Sequence, residues 1–360
     1  MEFENNFDLL LEAMAYFGRR AAGKSWNEME QRIAQQKMIP STSFIEVLEQ
    51  LKALTNLLNK NCLFETDKVE TLFGNLEGFP YNTIGSSSRA FFVLYPMLKK
   101  YQGNPKKFVK EICAMPREEI AWGIASIFED DLPASHRLEL GEFTDLVLGL
   151  STPDSTKVAL LELSKEYVQV AKEAMECLIS ALKILETHKN LLQKAIEPFA
   201  SHCKTMSQSD FFAQFSLMRP DPDTVYTIQP FVFGADTNLT FGVGSAQVHF
   251  YGGILRMELM ELVNGRTSAQ NQVCEIYRLL GDSTRFDIFC YLRNHTAYVQ
   301  DLSSRFGLSR NTIHHHMNKL IDCGLVQCTV KGNRMYYSLN KKTVEQFLQR
   351  QAFLFQKEER

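Results

Sequence analysis

Arg310, Asn311, His314, His315 and Lys319 fall on one side of a segment whose other side carries Ile313, Met317, Leu320 and Ile321. The apolar four recur at i, i+4, i+7 and i+8, the buried stripe of an α-helix, so the polar five face outward. Arg310 and Asn311 occupy the first turn. Guanidinium and carboxamide groups each present paired hydrogen-bonding positions that match base edges, and the first turn of a helix in a major groove is the part that reaches them. Reading DNA sequence is the chemistry this pattern fits. A second basic cluster, Lys331-Gly332-Asn333-Arg334, joins residues 325–330 to 335–339, two runs that read as strands. Gly332-Asn333 supplies the positive φ of a tight hairpin, and cations at its tip suit phosphate.

These residues need elements to hold them. Ser309 stands where a hydroxyl accepts hydrogen bonds from the free amides of a helix running from Arg310 to about Asp322, and Gly324 ends that helix. Gly307-Leu308-Ser309 is a tight turn after a helix over about 299–306. An amphipathic helix with Val273, Ile276, Tyr277 and Leu280 comes earlier, then a helix over 284–293 that Asp282 or Ser283 can cap. The layout is a helix-turn-helix followed by a hairpin. A last helix with Val344, Phe347, Leu348 and Phe355 is more apolar than a free surface helix needs. Pairing with its twin in a dimer accounts for this, and docking on the N-terminal region is the other reading.

The region resembles the ArsR/SmtB family of winged-helix transcriptional repressors. The resemblance rests on Leu279-Leu280-Gly281-Asp282-Ser283-Thr284-Arg285, on Leu308-Ser309-Arg310-Asn311-Thr312-Ile313-His314-His315-His316-Met317, on Gly324-Leu325-Val326 and on Gly332-Asn333-Arg334-Met335-Tyr336-Tyr337. It covers about residues 270–345 and implies operator binding as a dimer, pairing through the first and last helices, with release by an inducer. It also implies that Arg310 and His315 match contact positions, whereas His314 stands where family members commonly carry Ser. With the residues read above, the candidate DNA contacts are Ser309, Arg310, Asn311, Thr312, His314, His315, Lys319, Lys331, Asn333 and Arg334.

Metal-sensing members carry a Cys-Val-Cys-Asp-Leu arrangement before the turn; here the residues are Tyr298-Val299-Gln300-Asp301-Leu302, without either thiol. The family's other site uses Asp, His and Glu on the last helix, and residues 342–357 hold no His and no Asp. Neither site carries over. His314-His315-His316 cannot share one ion, because consecutive helical residues point about 100° apart. No metal and no cofactor is expected.

The rest of the chain reads as helix-rich. In 360 residues, 45% are hydrophobic and 26 are Phe, enough for two or three cores. The formal net charge of -3 hides an asymmetry: residues 270–360 hold 13 Lys+Arg against 8 Asp+Glu, and residues 1–269 hold 26 against 34. A basic C-terminal quarter suits an anionic partner. Residues 1–150 form short amphipathic helices broken by Gly, Pro and Ser. Residues 151–268 begin with a turn and a long helix to about His188, where Leu161, Val168, Met175 and Leu182 recur every seven residues with Ala171, Leu178 and Leu185 beside them. Such seams serve a coiled coil or, more simply, packing inside a helical domain. Three short strands follow at 225–233, 239–243 and 247–251, then a helix from Ile254 to Val263 running into Asn264-Gly265. Residues 269–360 are the winged helix with its C-terminal helix. The expected fold is mainly α with a small β section: a large helix-rich N-terminal region plus a C-terminal winged helix-turn-helix.

No phosphate-cradling, dinucleotide-binding or nucleophile-elbow motif occurs in residues 1–269, so an enzyme is not expected. Glu118-Glu119 and Glu129-Asp130-Asp131 read as helix-start charges or solvated faces. Phe91-Phe92, Phe211-Phe212 and residues 231–233 read as core, with an apolar ligand pocket as the alternative. His202-Cys203 reads as part of a helix end. Eight scattered cysteines without a Cys-x-x-Cys pair indicate reduced thiols, no apolar run nears the ~18 residues of a membrane span, and the acidic start lacks a secretory charge layout. A cytoplasmic protein with no membrane partner is expected. The function expected is a sequence-specific, dimeric DNA-binding transcriptional regulator, a repressor, whose N-terminal region senses a small molecule or protein or mediates dimerisation. The alternative is a protein-interaction scaffold whose winged helix is not used on specific DNA.

Overall fold

The computed structural model describes residues 2–355 except 36–37, 80–84, 102, 130–131, 134, 216–217, 221–222, 243–246, 267–268 and 332–333. The chain opens with β1 (Glu2–Phe3) and continues through α1 (Leu9–Ala21), α2 (Trp26–Gln35), α3 (Thr42–Asn61), α4 (Thr66–Phe73), α5 (Arg89–Leu94), α6 (Pro105–Cys113), α7 (Arg117–Ala125) and α8 (Leu140–Leu148). The Gly, Pro and Ser breaks read from the sequence separate these helices, and several act as caps: Ser41, Ser88 and Asn104 each accept an amide of the helix that follows. Helix α9 (Asp154–Thr187) is the axis around which they pack. Met175 and Leu182 of one heptad seam and Ala171, Leu178 and Leu185 of the other are buried, while Leu161 and Val168 pack against the same core. The seams serve the interior of the module.

After α10 (Lys189–Thr205), which carries His202 and Cys203 in its last turn, come α11 (Gln208–Phe215) and β2 (Met218–Arg219). The three anticipated strands are β3 (Val225–Phe231), β4 (Asn238–Phe241) and β5 (Gln247–Gly253). Their order is β1-β3-β5-β4, with β1 and β5 parallel to β3 and β4 antiparallel to β5. Strand β5, not the chain neighbour β4, lies beside β3, and β3 and β5 are buried along almost their whole length, as inner parallel strands are. At Gly253 a Cβ would come within 2.3 Å of the Thr237 carbonyl oxygen, so the β5 end closes against the 234–237 turn only with glycine there. Phe91, Phe92, Phe211, Phe212, Phe231 and Phe233 are all packed in the interior.

Helix α12 (Arg256–Arg266) leads to the C-terminal part: α13 (Ala269–Leu280), α14 (Ser283–Leu292), β6 (Ala297–Tyr298), α15 (Val299–Phe306), α16 (Arg310–Asp322), β7 (Val326–Lys331), β8 (Arg334–Leu339) and α17 (Lys341–Phe355). This is a winged helix-turn-helix within a mainly helical chain. Its sheet has the order β2-β7-β8-β6, so an edge strand comes from upstream: Met218 pairs with Cys328 and Arg219 with Thr329. Two cores result. One fills the α1–α9 module and the face of the first sheet that carries Phe231, Phe241 and Tyr251. The other joins Tyr226, Ile228, Val248 and Phe250, on the opposite face of that sheet, with Phe211, Phe212 and the winged helix.

Candidate nucleic-acid interface

The recognition helix is built from local signals. Val299 and Leu302 bury one face of α15, and Gly307 closes it at φ +64°, a left-handed conformation that glycine adopts without strain. Ser309 then caps α16, accepting the Thr312 amide at 3.2 Å. Ile313, Met317 and Leu320 are fully buried, and Ile321 packs beside them. Upstream, Asp282 caps α14 through the Arg285 amide at 2.9 Å. That hydrogen bond, with the charge of Arg285, holds the Asp282 carboxyl below its ordinary range.

The three histidines point into different surroundings. His315 is exposed. His316 is buried, with Nδ1 3.9 Å from the Asp282 carboxylate, and burial keeps its pKa below the usual value. His314 is half-buried; burial first, then the charge of Arg310, lowers it to about 4, so it is neutral at pH 7. Lys319 is exposed in the last turn. Asn311 lies in the first turn, while Lys331 and Arg334 form the register pair that closes the hairpin. Asn333 lies outside the described residues. Ring contact between Tyr298 and Tyr336, with centroids 5.7 Å apart, ties the hairpin to the start of α15.

Arg310 departs from the expectation of an open basic face. Its Nη1 forms an ion pair with the Glu129 carboxylate, and the two side chains are 33% and 12% exposed. Glu129 is therefore not part of a solvated face: it sits just beyond the end of α7, its amide bonded to the Ala125 carbonyl at 2.8 Å, and points its charge at the recognition helix. Asp130 and Asp131 lie outside the described residues. Glu118 and Glu119 do begin a helix, and Glu119 pairs with Arg137. Ser309 and Arg310 form one wall of a cleft of about 700 Å³ whose other walls include Phe128, Glu129, Leu132, Leu138, Glu142 and Asp145. The sequence offered one signal for this contact. An acid just after a helix C-terminus stands where the helix field disfavours negative charge, and so calls for a cation from elsewhere.

A capped recognition helix after a tight turn, with a hairpin closed by Lys331 and Arg334, defines a winged helix-turn-helix protein. The signature of the "Bacterial regulatory protein, arsR family" matches residues 282–327. The arsenical resistance operon repressor of Staphylococcus aureus is 32% identical over 78 residues, which span 22% of this chain and 75% of that protein. The HTH-type transcriptional regulator CmtR of Mycobacterium tuberculosis is 31% identical over 70 residues, 19% of this chain and 59% of its own length. The transcriptional repressor SdpR of Bacillus subtilis is 29% identical over 70 residues, 19% and 78% of the two chains. No solved structure matches the chain. The chain belongs to the arsR family through its C-terminal region.

Proposed function

We infer that the protein is a sequence-specific, DNA-binding transcriptional regulator, a repressor, acting as a homodimer on operator DNA. The observation that carries this is α16: a helix capped by Ser309 that carries Arg310, Asn311 and Thr312 in its first turn and His314, His315 and Lys319 off its buried stripe, beside a hairpin closed by Lys331 and Arg334. Asn333, which lies outside the described residues, belongs to the same proposed phosphate contact. Such a helix fits a major groove while the hairpin reaches phosphate. The arsR-family relatives that bear the names of repressors support the same reading.

Tyr277, Phe286 and Leu348, on α13, α14 and α17, are 45%, 48% and 54% exposed. They supply apolar area for a two-fold contact between copies, which a two-fold operator would match. The proposed division is residues 1–150 and 151–268 as a helix-rich sensing part for a small-molecule or protein effector, and 269–360 as the DNA-binding part. No described helix is long and apolar enough to cross a membrane, and the cytoplasm is the proposed location.

The test is to mix the full chain with sheared host DNA at near-physiological salt, recover the bound fragments and sequence them. Enrichment of a few sites with two-fold symmetry is expected. Uniform recovery that vanishes as salt rises would overturn the reading, since phosphate contact alone gives that pattern.

A further inference from the structure

Arg310 and His314 lie one helical turn apart, so they share an edge of α16. That edge does not face solvent. The Arg310 guanidinium is held by Glu129, His314 is half-buried, and Ser309 with Arg310 walls the cleft opposite Phe128, Glu129, Leu132, Glu142 and Asp145. Three features make the contact suited to competition with DNA. First, Glu129 stands beyond the end of α7, where the helix field disfavours its charge, so the cation that relieves it is the one contributed by the recognition helix. Second, Glu142 and Asp145 of α8 line the same cleft and add negative potential around Arg310, as phosphates would. Third, open volume borders that direct ion pair in the cleft. The firmer attachment of the winged helix is at the wing, through the β2–β7 pairing and the shared apolar core.

A major groove is about 12 Å wide, roughly the diameter of one helix with its side chains. A helix whose first-turn Arg310 is paired with Glu129 of another module does not fit. Arg310 can satisfy Glu129 or a base edge, but not both. We propose that the acidic cleft lined by Phe128, Glu129, Leu132, Glu142 and Asp145 is an intramolecular docking site for the recognition helix, and that the N-terminal module thereby competes with operator DNA for the Arg310 edge. The structure is then the closed form, and DNA binding requires the Arg310–Glu129 side to part while the wing side stays attached. This rests on the DNA-reading role of α16 inferred above.

The test compares the full-length protein with its Glu129→Gln variant, which removes the charge and keeps the shape, and with Glu162→Gln, which removes an exposed charge on α9. Affinity for a duplex recovered from the host-DNA selection should rise on the order of tenfold for Glu129→Gln, within the usual range of coupling between sites, and stay unchanged for Glu162→Gln. Amide hydrogen exchange at residues 312–316 should quicken in the absence of DNA for Glu129→Gln alone. Equal affinity of Glu129→Gln and wild type, or an equal gain in both variants, would overturn the proposal. If neither protein prefers any sequence, the DNA-reading role fails instead. Exchange then decides the docking: unchanged rates reject it, and faster rates at 312–316 retain the contact without its competitor.

Discussion

Glu12 and Arg310 are both ionisable groups that their own helices cannot satisfy, and the two regions of the molecule deal with them in opposite ways. Glu12, buried in α1, accepts the amides of Val232 at 2.7 Å and Phe233 at 2.8 Å, just past the end of β3. Burial drives its pKa up to about 8 against the pull of those two amides. Nearby, Arg19 pairs with Asp236 at 2.7 Å and lies 3.6 Å over the Trp26 ring. All these partners belong to one apolar core or its rim, so ionisable groups there act as joints between α1 and the first sheet. In the winged helix the first-turn cation is matched from another module, while His315 and Lys319 face solvent. A polar group bonded inside a core is expensive to remove, because its buried partners lose their acceptor. A charge matched across a cleft can change partners.

That contrast predicts a graded series of effects. The largest belongs to Glu12→Ala, which leaves two buried amides without acceptors and should lower unfolding stability by about 3–5 kcal/mol in urea titration; a loss under about 1 kcal/mol would place Glu12 with the exchangeable charges. Next comes pH. His314 has a folded pKa of about 4 against 6.5 for the free side chain, so between those values the unfolded chain binds the extra proton. The contribution is complete above pH 6.5 and disappears as pH falls through about 4, worth at most about 3 kcal/mol. Glu12, with its raised pKa, acts with the opposite sign, its contribution fading as pH climbs toward 8. The His314 share is therefore read as the difference between wild type and His314→Gln, and parallel pH–stability curves would remove it.

Smaller effects sharpen the recognition side. Arg310→Ala should narrow the gap between operator and random duplex by about 1–3 kcal/mol, even though the substitution also releases Glu129. Identical changes on both duplexes would show that Arg310 serves only the closed contact. Ser309→Ala should cost about 1 kcal/mol through loss of the cap on α16, visible as a lower thermal midpoint, with no change in the ratio of specific to random binding.

Most of the winged helix could be read in the sequence because its determinants are local. Asp282, Gly307 and Ser309 lie within three residues of the helix ends they fix, and the β7–β8 hairpin closes on itself. The order of the first sheet was not legible. Nothing in residues 225–253 marks β5 rather than β4 as the partner of β3, and β1 joins through Glu2 and Phe3 alone, more than two hundred residues away. Strand β2 was missed because two residues carry no period. The Arg310 partner lies 181 residues upstream. Glu129 sits in an acidic run that reads as solvated until the end of α7 is located.

The pairing of β2 with β7 has a consequence for how the chain can be taken apart. Excising residues 269–360 would strip the β7 edge of its neighbour and uncover the apolar side that Phe211, Phe212 and Tyr226 close off. An uncovered strand edge beside bare hydrophobic surface recruits further strands. In this chain, then, the winged helix is not a portable cassette: the residues just upstream cover its strand edge and apolar side, and a fragment made without them should precipitate where the whole protein stays dissolved.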